Sequence, residues 1–220
     1  MQPVAMSGST RALLILGLVA VAGAICALAL MDRGRSVARA EKLLAALCSQ
    51  TGLHPLAVGA SALKYFREYP SVGSPLRLAA GRVDGVSVET CFVPIVKRSE
   101  KGRTLVGAPC PGRLGGEVGL SARDAVSGLT HSLFGVANGV GARPLFGAYD
   151  GWGPPADLER VFTPDVRSTM LAFPRQFEQV LVYGQEVVMV WRGIEDDVPV
   201  MKQAFRLAAS LCEAASSSRR

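Results

Sequence analysis

The sequence predicts an α+β protein, an N-terminal transmembrane helix followed by one soluble domain with an antiparallel sheet covered by helices on one face. Three observations predict it. Residues 12–31 (ALLILGLVAVAGAICALALM) run twenty positions without a charge. Farther on, apolar and polar residues alternate around tight-turn dipeptides, which is the period of paired strands. In the last third, apolar residues recur at three- and four-residue spacing behind helix-cap signals. Strictly alternating helix and strand units are missing, so an antiparallel sheet is favoured over a doubly wound parallel one.

The whole chain is 220 residues, 49% hydrophobic and 19% charged, which excludes a disordered chain and a coiled-coil rod. Glycine is frequent but aperiodic, so collagen is excluded as well. The expected organisation is a short tail over 1–11, a span over 12–31, a soluble domain over 32–215 and a disordered tail over 216–220.

The span comes first. At a rise of about 1.5 Å per residue, twenty residues reach about 30 Å, the thickness of a bilayer's hydrocarbon core. A cleaved secretory signal is the main rival. It wants a more basic leader than Arg11 alone and a shorter apolar run, and a cut after Ala24 would leave half the run on the mature chain. A lipoprotein signal at Cys26 fails at Ile25, where a small residue is needed. Arg33, Arg35, Arg39 and Lys42 follow the span, whereas Arg11 alone precedes it. The positive-inside rule therefore puts the soluble domain in the cytoplasm, on the inner (plasma) membrane.

Residues 35–49 read as a helix with Leu43, Leu44 and Leu47 on one side, stopped at Gly52, and a second helix is expected over 55–69. The period then changes to two. Asp84-Gly85 is a turn between strands, 97–102 (KRSEKG) is a polar turn, and 103–108 is the returning strand. The middle, 109–153, is glycine-rich. Ser121 is expected to cap a helix through about 134, 144–149 to be a short strand, and 150–155 (DGWGPP) to be loop. Thr163-Pro164-Asp165 starts a helix with a cap, a first-position proline and an acid at the positive helix end. Strands over 177–183 and 186–191 flank Gly184-Gln185, which pairs Leu181 with Val188 and Val180 with Met189. Asp196 or Asp197 caps a last helix that buries Met201, Phe205, Ala208 and Cys212.

Three stretches resemble uncharacterised bacterial membrane-anchored proteins with a soluble domain of unknown function. They are 158–173 (LERVFTPDVRSTMLAF), the Gly-Gln hairpin with its closing amphipathic helix, and 81–88 (GRVDGVSV). The resemblance covers about two-thirds of the chain, weighted to its C-terminal half. It implies a membrane anchor and no catalytic residue. The aspartate-phenylalanine pair usual ahead of the strand near Phe146 is missing here.

Catalytic and metal chemistry find little purchase. His54 and His131 stand alone, no cysteine lies in a CxxC, and neither a P-loop, a GxSxG nor a GxGxxG is present. Asp196 and Asp197 read more simply as a helix cap than as a metal or acid-base pair. Lys97, Arg98, Lys101 and Arg103 form a basic turn without interleaved aromatics, which argues against nucleic acid. Counting outward from a hairpin centre near 100–101 sets Cys91 opposite Cys110 as a possible cysteine pair, and a cytoplasmic domain would keep both as thiols. No cofactor is implied. The expected partners are the lipid bilayer through 12–31 and another membrane or cytoplasmic protein. The favoured role is a non-enzymatic interaction module; the alternative is a membrane-tethered enzyme with its site in the glycine-rich middle.

Overall fold

The computed structural model describes residues 8–69, 76–94, 102–110, 114, 116–123 and 143–216, with the side chains of 8–15, 29, 32–33 and 143 outside the description. The fold is α+β, built on a nine-stranded sheet in the order β1-β2-β3-β4-β9-β8-β5-β7-β6. The strands are β1 (His54–Leu56), β2 (Arg77–Val83), β3 (Val86–Val93), β4 (Arg103–Pro109), β5 (Val118–Ala122), β6 (Arg143–Phe146), β7 (Tyr149–Trp152), β8 (Phe177–Tyr183) and β9 (Glu186–Arg192). Every pairing is antiparallel. The helices are α1 (Gly8–Thr51), α2 (Lys64–Glu68), α3 (Pro155–Val161), α4 (Pro164–Ala172) and α5 (Val198–Ser216).

Local chemistry explains most of the elements. No proline interrupts α1, and it ends at Gly52, whose φ of 74° is the left-handed conformation of a helix stop. Asp84 and Gly85 both have positive φ, 51° and 85°, as the primed two-residue hairpin turn requires. The Thr163 hydroxyl accepts from the Val166 backbone N–H at 3.3 Å and Pro164 opens α4, as the cap signal predicts. The β8–β9 register also follows expectation, with Leu181 opposite Val188 and Val180 opposite Met189.

Alternation along the central strands builds a core on each face of the sheet. One core takes Val88, Val106, Val180, Met189 and Trp191 from the strands, together with Ala40, Leu44 and Leu47 of α1, Val166 and Met170 of α4, and Phe205 and Leu211 of α5. The other takes Leu78, Cys91, Leu105, Leu181 and Val188, covered by Leu63, Tyr65, Phe66 and Tyr69. The long helices therefore share one face, as expected, but the opposite face is covered by the strap that contains α2. At Gly107 the strap comes so close that an added Cβ would collide with Leu63 Cδ1.

Several expectations are corrected. The helix expected over 55–69 is instead edge strand β1, a 3₁₀ turn (Val58–Ala60) and the five-residue α2. Pro55 is tolerated because β1 pairs on one side only, with β2. Ser121 lies within β5, and the rest of the helix expected through about 134 falls on residues from 124 onward, outside the described residues. The strand expected over 144–149 and the loop over 150–155 are instead β6 and β7, turning at Gly147 with φ 52°. Ser216, assigned to the tail, closes α5, and 217–220 lie outside the described residues.

Candidate functional site

The exposed half of α1 is where the molecule's chemistry is most unusual for a protein in water. From 16 to 31 every described side chain is exposed, including Leu16 at 70%, Leu18 at 70%, Val19 at 66% and Leu30 at 67%. These residues surround the helix and form no single apolar stripe, so no one packed neighbour would bury them all. The same helix then enters the domain. Ala40 is fully buried, Leu44 and Leu47 nearly so, and all three pack into the core above the sheet. One element is thus exposed and apolar at one end and built into the fold at the other.

The junction is held by charges. Arg39 pairs with Asp196 at 3.3 Å, and Glu41 pairs with Arg77 on β2. The Arg39–Asp196 pair is exposed at both ends and contributes well under about 1 kcal/mol. Its value is positional, because it joins α1 to the segment leading into α5. Of the basic residues expected at a membrane flank, Arg35, Arg39 and Lys42 are exposed, and the side chain of Arg33 lies outside the description. Among the described residues no helix is long and apolar enough to cross a membrane.

The remaining candidates resolve into structural roles. Asp197 accepts the Met201 N–H through its backbone oxygen at 3.0 Å, which makes it the start of α5. Glu195, with its side chain 2% exposed, meets Arg175 at 3.0 and 3.3 Å and accepts the Asp197 N–H at 3.2 Å. These contacts fold the turn before α5, and no described group of acidic, histidine or cysteine side chains is arranged to hold a metal ion. His54 is exposed on β1, while His131 and the glycines of 135–141 lie outside the described residues. So do Lys97, Arg98 and Lys101; Arg103 is in β4 and pairs with Glu178 at 2.9 Å, and Glu178 also takes Arg192.

Sequence reading missed two carboxylates. Glu89, 5% exposed on β3, accepts from the Ser61 hydroxyl and, at 2.7 Å, from the Ala62 N–H. Glu186 accepts from Lys64 N at 2.5 Å, Tyr65 N at 3.1 Å and the Tyr183 hydroxyl at 3.1 Å. Together they fasten the α2 strap onto the second face. Alternation alone marks Glu89 as a polar strand position and does not say which side is covered.

The cysteines are thiols, and their arrangement differs from the count made on the sequence. Cys91 lies opposite Leu105, and Val93 lies opposite Arg103, so the β3–β4 hairpin centres on residue 98 and not on 100–101. Cys91 faces the second core, where burial, then the charge of Glu89, pushes its thiol pKa up. Cys110 sits past the end of β4 in the first core, beside Cys212 of α5.

No family model matches the chain, and no curated protein does. Among solved structures it is similar to the mycobacterial trehalose monomycolate transport factor A, TtfA, with a TM-score of 0.55 at 9% identity. The match covers 82% of this chain and 94% of that one. At that identity the likeness is one of fold.

Proposed function

We propose that this protein is a single-pass membrane protein, with residues 12–31 in the bilayer and the α+β domain serving as a non-enzymatic docking module beside the membrane. One observation carries the reading: α1 is apolar from 16 to 31 and every described side chain there is exposed, after which it continues unbroken into the domain core at Ala40, Leu44 and Leu47. Exposed apolar surface costs about 25 cal/mol per Å², and a bilayer removes that cost around a whole helix, whereas a packed partner covers one side. The excess of basic residues at Arg33, Arg35, Arg39 and Lys42 over Arg11 supports a cytoplasmic domain on the inner membrane. The partner in this reading is another membrane or cytoplasmic protein, and the work is assistance in moving a lipid-like cargo. The fold likeness to a factor named for trehalose monomycolate transport supports that last step.

The test is a full-length Leu18→Lys/Val21→Lys variant, with both positions within about 5 Å of the middle of 12–31. A lysine near the centre of a span costs on the order of 2.5–3.5 kcal/mol in insertion. The variant is expected to leave the membrane fraction while the domain's melting temperature holds. A variant that remains fully membrane-bound would mean attachment lies elsewhere.

A further inference from the structure

The end of β4 and the last turns of α5 bring together two thiols that are 102 positions apart in the chain. Cys110 Sγ is 3.5 Å from the Cys212 carbonyl oxygen. Cys212 Sγ is 3.8 Å from the carbonyl oxygen of Pro109 and 3.9 Å from that of Ala108. Each sulfur thus rests against the main chain that carries the other. A disulfide joins cysteines whose Cα atoms lie about 4.4–6.8 Å apart, so each side chain must reach the other's main chain, as these two do. The backbone on either side is held in place. Cys110 N donates to Gln185 O at 2.6 Å, and Ala208 and Leu211 fix α5 in the core. Cys91, by contrast, has Leu78 and Leu105 as its cross-strand neighbours.

We propose that Cys110 and Cys212 are a closable dithiol, which a disulfide-carrying oxidant converts to an intramolecular disulfide and an excess of thiol reopens. One cysteine, as its thiolate, attacks the oxidant's S–S bond, forms a mixed disulfide and releases one thiol. The second cysteine, also deprotonated, attacks the protein sulfur of that mixed disulfide and expels the second thiol. Two protons and two electrons leave the protein, and the oxidant becomes two thiols. In the closed fold both side chains are nearly inaccessible, with Cys110 at 2% and Cys212 at 6% exposure. The contact with Cys110, then burial, also pushes the Cys212 thiol pKa up. Exchange therefore waits on opening of the last turn of α5, which ends at Ser216. Closing the bond ties the C-terminal helix to the centre of the sheet. This property of the fold does not depend on the membrane reading.

The test uses the full-length chain in detergent micelles, equilibrated with oxidised glutathione. The sample is quenched in acid, denatured and labelled with a maleimide of known mass. The five cysteines should give five labels before oxidation, three after it and five again after reduction. Peptide mapping should join Cys110 to Cys212, and the melting temperature should rise by roughly 5–10 °C on closure. A C26S variant, which removes the exposed cysteine of α1, should fall from four labels to two; C110S and C212S should form no internal link. Five labels at every glutathione ratio would overturn the proposal. So would glutathione adducts that never resolve into the link, or a link made through Cys91.

Discussion

Cys91 shows how one side chain ties stability to pH. Its thiol is fully buried in the second core, and burial, with the nearby charge of Glu89, raises its pKa in the folded state above the ordinary 9.0. Below pH 9.0 the folded and unfolded chains both hold this proton, so its contribution is fully present. Above that value the unfolded thiol ionises while the folded one does not. The unfolded chain then binds fewer protons, and stability falls as pH rises. Cys91→Ala removes this term, so the variant should lose on the order of 1 kcal/mol less than the wild type between neutral pH and about pH 10. Denaturant titrations across that range measure it, and superimposable pH profiles would contradict it. Cys91 was legible in the sequence as an alternating strand residue. Its neighbours were not, because the observed β3–β4 register is centred two to three residues before the 100–101 counted from the sequence. A slip of that size changes every cross-strand partner. Glu89 was invisible for a different reason: its partners, Ser61 and Ala62, come from a segment that reads as helix.

At the scale of elements, legibility followed the strength of local chemistry. The β8–β9 hairpin has a glycine at its turn and β-branched residues along both strands, and its register follows expectation at Leu181–Val188 and Val180–Met189, shifting only between Phe177 and Gln179. The Thr163 cap and the buried stripe of α5 did so as well. Residues 55–69 read as a helix because Leu56, Leu63 and Phe66 fit a helical spacing as readily as a strap laid over a sheet. What decides between them is non-local: β2 takes the backbone of β1, and Glu89 and Glu186 take the N–H groups of Ala62, Lys64 and Tyr65. The hairpin carries its own prediction. Val180 is fully buried in the first core and faces Met189. Val180→Asp puts a carboxylate into that apolar layer and should cost about 3–5 kcal/mol. Chemical unfolding reads the loss, and a midpoint equal to that of the wild type would mean this face is not core.

At the scale of the whole molecule, the α+β class was legible from periodicity, while the strand order was not. β4 pairs with β9 and β5 with β8, joining segments far apart in the chain, and no local pattern encodes such partners. The second core was missed for the same reason, since it exists only because a strap returns over the sheet. The exposed half of α1 is where the sequence pattern and the fold meet most clearly: an uncharged run of twenty residues lies in one helix, and its described side chains, 16–28, 30 and 31, are left uncovered. In our account that helix belongs in a bilayer and fastens the domain there as one continuous element. The most direct measurement is an alkaline wash of native membranes, followed by mass analysis of the protein in pellet and supernatant. The account predicts the intact chain, residues 12–31 included, in the pellet. Its release into the supernatant, or recovery there of a chain shortened at its N-terminus, would contradict it.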